Sequence, residues 1–303
     1  MPFALRSALP WFFAVLLGLA GLVFPRISNQ FAPWFFLSSA LLLGVPHGAC
    51  DPWVPGWVRH HPSRLPFLIC FFIVYLSLSF LYLLIWRAFP LPSTIFFLCL
   101  TAWHWGTADA SLEFSPGPRW LIFGLGRGAL VMLAPFAFHL TETWEVILLM
   151  APQAGPQPAL PFFHLLIFAL LFNLLSQFTA RNWIETGLLI LLFFFCPPLL
   201  SVGTYFVAFH AWRHLLRLAS LRKQIPATAA PYLWIHSLLQ LLLLSIPLTL
   251  ASLAFLRWIP PFLASSFPSG QNWVGPYLIL LAVLTLPHAI LVAWMDKETL
   301  RPK

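Results

Sequence analysis

The sequence contains 303 residues, of which 60% are hydrophobic and only 8% are charged. Soluble domains carry roughly 25% charged residues, so this composition excludes a soluble globular protein and indicates an integral membrane protein. The formal net charge of +8 comes from basic residues scattered among loops, which favours contact with anionic membrane lipid and argues against a nucleic-acid partner. The four cysteines show no CxxC spacing, so neither a disulfide framework nor a zinc ribbon is expected.

Continuous apolar runs of about 17 to 25 residues recur along the chain, and this is the length that an α-helix needs to cross a bilayer. Because the runs do not alternate between apolar and polar residues, they predict helices rather than a β-barrel. We therefore predict an all-α fold, a polytopic transmembrane helical bundle in which residues 1–303 form a single membrane domain. The predicted helices span residues 9–24, 33–50, 66–86, 91–108, 120–139, 161–179, 184–200, 202–219, 231–255 and 273–294.

Basic residues orient the predicted bundle, because they concentrate in the cytoplasmic loops of membrane proteins. Only Arg26, Arg87 and Arg257 fall in odd-numbered loops, whereas the termini and even-numbered loops carry most of the other arginine and lysine residues. This distribution predicts ten helices with both termini in the cytoplasm, in the inner (cytoplasmic) membrane of the cell. The predicted helices seven and eight meet in CPPLLSVG with almost no loop, so eight or nine spans are also compatible with the sequence.

Five of the ten histidines fall at one depth of the predicted bundle, near the cytoplasmic ends of their helices. These five are His47, His104, His210, His214 and His288. His236 lies early in helix nine and could reach the same layer. The remaining histidines fall near the opposite face or in a cytoplasmic loop and are poor candidates for the same site: His60, His61, His139 and His164.

His210 and His214 in YFVAFHAWRH are four residues apart, so both imidazoles project from one face of a helix and can bind one ion. One HxxxH pattern alone is a weak signal, because a single histidine in a membrane helix is more often a hydrogen-bonded packing residue. Polar groups in the bilayer are costly, however, and usually face a partner or a cavity. If His47 and His104 converge on this pair, the four imidazoles form a set suited to iron, copper or zinc.

Two aspartates follow histidines of the layer. In GVPHGACD, Asp51 lies four residues after His47, and we predict that it accepts a hydrogen bond from the ring nitrogen of His47 that does not bind metal. In WHWGTAD, Asp109 follows His104 by five residues, which is a poorer helical spacing. For Asp109, a place beside the site and contact with interfacial water at a helix end both stay open.

Aromatic residues surround these histidines along the chain, although they also make up 17% of the whole sequence. Each one alone therefore indicates packing or the interfacial aromatic belt. Together they would form an apolar wall around a metal, suited to a long hydrophobic substrate that arrives from the bilayer. The aromatic residues of the layer are Trp103, Trp105, Phe206, Phe209 and Trp212.

The segments GVPHGACD, AWHWGTAD, YFVAFHAWRH and TLPHAILV occur in this order over most of the chain. In this combination the sequence resembles the bacterial and archaeal membrane-bound β-carotene 15,15′-dioxygenases, the bacteriorhodopsin-related Brp/Blh family. The resemblance implies a non-haem Fe(II) enzyme that splits the central double bond of β-carotene with O₂ to give retinal. A retinal product also suggests a functional link to a retinal-binding rhodopsin.

The resemblance implies iron ligands at the motif histidines His47, His104, His210 and His214. His288 matches a motif position without an assigned role, and it could complete the metal site or line the pocket. The chain departs from the family pattern at Trp105, where a phenylalanine is expected, and at Phe209 and Ala211, where a tryptophan and a serine are expected. These departures concern the walls of the site, so they bear on the substrate more than on the metal.

Three other functional classes stay open on the residues alone. A lipid hydroxylase or desaturase would usually carry several HxxxH or HxxHH boxes, and this sequence has one HxxxH. A transporter with a histidine proton relay would need carboxylates in the membrane core, whereas Glu142, Glu145 and Glu185 are predicted at loop edges. A bis-histidine haem protein would carry facing histidine pairs on two helices, and its haem absorption band would distinguish it from a non-haem oxygenase.

Overall fold

Helices account for all the regular structure in the residues that the computed structural model describes, which are 4–60, 64–177, 179–226, 229–259 and 273–299. The predicted all-α class is therefore confirmed for this part of the chain. The α-helices are α1 (Leu9–Val23), α2 (Pro25–Ser39), α3 (Val45–Ala49), α4 (Val54–Arg59), α5 (Leu65–Ala88), α6 (Pro90–Ala110), α7 (Pro118–Phe138), α8 (Leu140–Met150), α9 (Phe162–Leu175), α10 (Ala180–Phe195), α11 (Pro198–Thr204), α12 (Trp212–Lys223), α13 (Pro231–Leu256) and α14 (Val274–Thr299).

Six helical stretches of the described residues are long and apolar enough to cross a membrane. They are Leu5–Val23, Pro25–Arg59, Leu65–Ala88, Pro118–Phe138, Pro231–Leu256 and Val274–Thr299. Several such helices in one chain indicate a multi-pass membrane protein. Ten spans and cytoplasmic termini stay a prediction, because helix length and composition identify six candidates and carry no information about the side of the membrane.

The second predicted helix, 33–50, begins earlier than expected. In the structure α2 starts at Pro25 and contains Pro33 in its interior. A π-helical turn, Ala40–Gly44, then joins α2 to α3. The backbone N–H groups of the first helical turn have no partner within the helix, so a proline such as Pro25, which has no N–H, is well suited to a helix start. Membrane helices also tolerate internal prolines such as Pro33.

The boundary between the predicted helices 184–200 and 202–219 was wrong. The chain breaks at Cys196 and Pro197, between α10 and α11. From Pro198 onward α11, the π-helical segment Tyr205–Ala211 and α12 form one uninterrupted helical run. Consecutive prolines cannot continue α10, because each lacks a backbone donor and restricts the residue before it. The HxxxH pair thus lies on a long helix that carries a π-helical segment.

Helix α8 was not predicted. Its 11 residues, Leu140–Met150, fall between two predicted spans and are too few to cross a bilayer, so the apolar-run criterion passes over them. The following segment, 151–161, contains only a short 3₁₀ turn, Pro152–Ala154. Ile147 and Met150 are buried, so α8 packs against the protein core with one face and does not span the membrane.

Helices α6 and α7 pack backbone against backbone through glycines. A Cβ atom added at Gly106 would lie 1.9 Å from the Gly124 carbonyl oxygen, and one added at Gly128 would lie 1.8 Å from the Ala102 carbonyl oxygen. Only glycine permits this approach, which is a common device in membrane helix packing. The glycine of WHWGTAD therefore serves the packing of α6 on α7.

Candidate metal centre and its cavity

Five buried histidines from α3, α6, α12, α14 and the π-helical segment converge in the interior of the bundle. The ring centroid of His47 lies 4.9 Å from that of His288, 5.4 Å from that of His210 and 5.5 Å from that of His214. The His104 ring lies 4.7 Å from His210 and 4.9 Å from His288. The five histidines predicted to share one layer are thus neighbours, and His288 is as central as the other four.

Ring nitrogens in this cluster have the arrangement of a metal site. One nitrogen from each of His47, His210 and His288 lies within 4.8 Å of the other two. The Nε2 atoms of His104, His210, His214 and His288 are buried without a hydrogen-bond partner among the described residues. An unpaired buried polar atom is costly, and neutral imidazole nitrogens are ligands for first-row transition metals. The cluster could therefore hold a metal ion.

Asp51 forms a hydrogen bond with His288, whereas we predicted one with His47. The Nδ1 atom of His288 lies 2.9 Å from Oδ2 and 3.0 Å from Oδ1 of the Asp51 carboxylate. His47 instead directs its Nδ1 to the Leu43 carbonyl oxygen, at 3.2 Å. The prediction failed because α3 ends at Ala49 and Asp51 begins a 3₁₀ turn, so the helical i to i+4 relation to His47 is lost.

Tyr75 completes this arrangement and was missed by the sequence analysis. Its hydroxyl donates to Asp51 Oδ2 at 2.9 Å, and it also lies within hydrogen-bond distance of the Leu284 carbonyl oxygen, at 3.3 Å. Tyr75 therefore links α5 to α14 beside the histidine cluster. The available signal was a phenolic hydroxyl in the middle of the apolar run FFIVYLSL, where a polar group requires a partner.

Asp109 belongs to a buried ion cluster, and the alternative of contact with interfacial water is wrong. It accepts hydrogen bonds from the Tyr205 hydroxyl at 2.9 Å and from Arg213 Nη1 at 3.2 Å. Glu185, predicted at a loop edge, is buried as well and accepts from Arg213 at 2.6 and 3.0 Å. Arg127 lies 3.9 Å from Asp109 and 3.7 Å from Glu185. Two carboxylates thus balance two guanidinium groups.

The ion cluster borders the histidine cluster through Arg213, which lies between His210 and His214 in the sequence. Its guanidinium also stacks over the Phe209 ring, at 5.0 Å from the centroid. Phe209 therefore packs on the ion cluster and is not among the residues that line the cavity described below. Trp212 likewise points away, because its Nε1 donates to the Leu5 carbonyl oxygen at 2.6 Å.

The other histidines lie apart from the cluster. His236 is exposed on α13, where its Nε2 lies 2.8 Å from the Gln240 side-chain nitrogen one turn later. His60 and His164 are exposed, and His139 Nε2 lies 3.1 Å from the Phe193 carbonyl oxygen. His61 lies outside the described residues. The suggestion that His236 reaches the layer does not fit its exposed position.

A cavity of about 630 Å³ extends from the histidine cluster. His47, His104, His210 and His288 reach its wall, and the rest of the lining is mostly apolar. Aromatic rings cover one side of the cluster, since Trp105 stacks on Phe206 at 5.5 Å and lies 5.4 Å from the His210 ring. Trp105 and Phe206 thus form the apolar wall that was predicted, whereas Trp103 is 39% exposed and packs against Trp120.

Comparison with known proteins gives this site its context. A family model described as BCD, β-carotene 15,15′-dioxygenase, matches residues 38–296. The chain belongs to this β-carotene dioxygenase family. The matched range contains all five clustered histidines as well as Asp51 and Tyr75. Membership makes the protein an oxidoreductase of the carotene dioxygenase class, so the transporter and lipid hydroxylase alternatives no longer stand.

Two curated members of the β-carotene dioxygenase family are similar over most of their length. The chain is 29% identical over 298 residues to the probable β-carotene 15,15′-dioxygenase Blh of Halobacterium salinarum, and the match covers 88% of this chain and 85% of the relative. It is 27% identical over 271 residues to the β-carotene 15,15′-dioxygenase of an uncultured marine bacterium, 66A03, with 86% and 92% covered. No solved structure matches the chain.

Proposed function

We propose that this enzyme cleaves the central 15,15′ double bond of β-carotene with O₂ and releases retinal. Each half of the symmetrical polyene receives one oxygen atom, so one O₂ converts one β-carotene into two aldehydes. The observation that carries the proposal is the buried histidine cluster at the wall of a large apolar cavity, in a chain of this family. A hydrocarbon polyene has no polar group to hydrogen-bond, so an apolar cavity is the site that it requires.

We propose a single non-haem Fe(II) in the cluster. The family resemblance is the reason to choose iron, because imidazoles alone would also suit copper or zinc. The proposed ligands are His47, His104, His210 and His214, joined by His288, whose Nε2 is buried and unpartnered. When bound, the iron would supply the redox chemistry that allows O₂ to react with the polyene.

The surrounding residues have separate roles in this proposal. Asp51 accepts a hydrogen bond from the Nδ1–H of His288, which leaves the Nε2 lone pair free for the metal and fixes the orientation of the ring. Tyr75 holds the Asp51 carboxylate in place. Trp105 and Phe206 offer flat apolar faces beside His210, where they would contact the polyene and exclude water from the reacting double bond.

We further propose that the chain acts as one domain in the inner membrane of the cell, with both termini in the cytoplasm. The distribution of arginine and lysine between loops supports this orientation. The product retinal is itself apolar, so it would remain in the bilayer, where a retinal-binding rhodopsin could take it up.

Expression in cells that accumulate β-carotene tests the proposal. The cells should lose colour, and chromatography should identify retinal as the product. Membrane-inserted His210→Ala protein should leave the colour unchanged, whereas His164→Ala, which alters an exposed ring, should bleach the cells as the unmodified protein does. Colour loss with products other than retinal would contradict central cleavage, and stoichiometric zinc in fully active protein would contradict the iron assignment.

A further inference from the structure

The exposed residues of the cavity wall are confined to two helices. Among the described residues that line the cavity, four are exposed, and all the others are buried or half-buried. The four belong to only two helices, and every one of them is apolar: Leu76 and Phe80 on α5, and Ala251 and Phe255 on α13. Both helices flank α14, which carries His288.

The α5 side of this region lies at a depth where lipid would surround the protein. Helices α5 and α13 are both long, apolar candidate membrane spans. Leu76 and Phe80 lie near the middle of α5, and Leu76 is roughly 17 Å along the axis from its first residue at 1.5 Å per residue. The two side chains are 56% and 52% exposed. An exposed leucine near the middle of a candidate membrane span faces hydrocarbon chains and not water.

A stripe on α14 follows the cavity wall to the histidine cluster. Leu281, Leu284, Thr285 and His288 all line the cavity, and their spacing of three or four residues puts them on one face of the helix. From Leu281 to His288 the helix rises by roughly 10 Å. The first three are half-buried and His288 is buried.

We propose that the gap between α5 and α13, over α14, is a lateral portal through which the carotenoid passes from the bilayer to the histidine cluster. This inference rests on the proposed function, because it takes the carotenoid as the substrate. The chemistry of the opening fits this occupant: a rigid hydrocarbon dissolves in lipid and not in water, and the exposed residues at the gap carry no charge.

Blocking the portal on one helix tests the inference. The exposed cysteines Cys70 and Cys99 are first replaced by serine, and Ala251→Cys is then introduced and labelled with pyrenyl-maleimide. The matched control is Ile246→Cys, because Ile246 is an exposed residue of α13 that does not line the cavity. It lies about 140° around the helix from Ala251 at 3.6 residues per turn. Each variant is compared with its own unlabelled protein, and mass spectrometry gives the extent of labelling.

The first readout is uptake of β-carotene from liposomes, measured by its visible absorbance without O₂ and independently of turnover. Labelled Ala251→Cys protein should lose uptake and cleavage, whereas labelled Ile246→Cys protein should retain both. If Ala251→Cys protein is loaded with β-carotene before labelling, addition of O₂ should still give one turnover, because the substrate has already passed the portal.

Equal uptake by the two labelled variants would overturn the portal. Failure of the preloaded protein to complete one turnover would overturn it as well, because the label would then block the binding site itself. If unlabelled protein takes up β-carotene but never converts it to retinal, the proposed function fails, and the uptake measurements still decide whether the portal exists.

Discussion

Asp51 and His288 are separated by 237 positions in the sequence, yet the Asp51 Oδ2 and His288 Nδ1 atoms lie 2.9 Å apart. A 3₁₀ turn after α3 presents the carboxylate, and α14 presents the imidazole. Both side chains are buried. A carboxylate behind a metal-binding histidine fixes the ring tautomer and raises the basicity of the nitrogen that faces the metal, so this pair should control metal binding at the cluster.

Asp51→Asn should lower iron affinity or cleavage rate by about 10- to 100-fold, which is the usual effect of losing such a partner. The amide keeps the shape of the side chain but loses the charge that favours the Nδ1 proton of His288. Iron per chain, measured by mass spectrometry, and the cleavage rate give the two readouts. Glu142→Gln removes an exposed carboxylate and serves as the control. Unchanged iron content and rate in Asp51→Asn would show that the pair has no role at the metal.

Tyr75→Phe should leave the protein folded but weaken its hold on iron. The change deletes the hydrogen bond from the Tyr75 hydroxyl to Asp51, and a bond to a charged acceptor contributes about 1.5 to 3 kcal/mol. The rate at which a chelator removes iron from the purified protein should therefore rise. Tyr232→Phe, at a 68% exposed position, is the control. An equal rate of iron loss from both variants would contradict the linkage.

His288→Ala should abolish iron binding as completely as His104→Ala, because the two rings lie 4.9 Å apart within one cluster. An ion that loses a ligand loses both affinity and geometry. Metal content and cleavage are measured on membrane-inserted protein, and His60→Ala at an exposed position is the control. Full activity and normal iron content in His288→Ala would show that His288 lines the cavity and is not a metal ligand.

Gly106→Ala should destabilise the protein by about 1 to 3 kcal/mol or more, the usual cost of overpacking. The added methyl group would lie 1.9 Å from the Gly124 carbonyl oxygen, so α6 and α7 must separate and His104 must move. Gly187→Ala is the matched control, because nothing lies within 4 Å of its added Cβ. The midpoint of thermal unfolding in detergent should fall for Gly106→Ala alone; equal midpoints would show that the two helices can separate at no cost.

Glu185→Ala should strongly destabilise the bundle, because Asp109 is then the one buried counter-charge of Arg213 and Arg127 among the residues that the structure describes. Breaking a buried ion pair typically costs about 3 to 5 kcal/mol. The measurement is again thermal unfolding, with Glu145→Ala at an exposed site as the control. A stable Glu185→Ala protein would mean that water reaches the cluster and screens the two arginines.

The sequence by itself determined the features that depend on composition or on neighbours within one helix. Low charge and long apolar runs predict a helical membrane protein, because backbone N–H and C=O groups inside the hydrocarbon layer can form hydrogen bonds only with each other. The HxxxH pair predicts two imidazoles one turn apart, since the spacing alone sets their common face. The boundary at Cys196 and Pro197 was missed, although consecutive prolines cannot continue a helix and were the available signal.

Only the tertiary structure decided which side chains meet across helices. Asp51 lies four residues after His47 but forms a hydrogen bond with His288. The reason is that α3 ends at Ala49, so His47 and Asp51 are not one turn apart on a single α-helix. Asp109 pairs with Arg213 because α6 packs against the π-helical segment Tyr205–Ala211, which ends just before Arg213. Local spacing carries no information about which faces of distant helices come into contact; the packing of whole helices sets that, and at α6 and α7 the glycine contacts decide how closely the backbones approach.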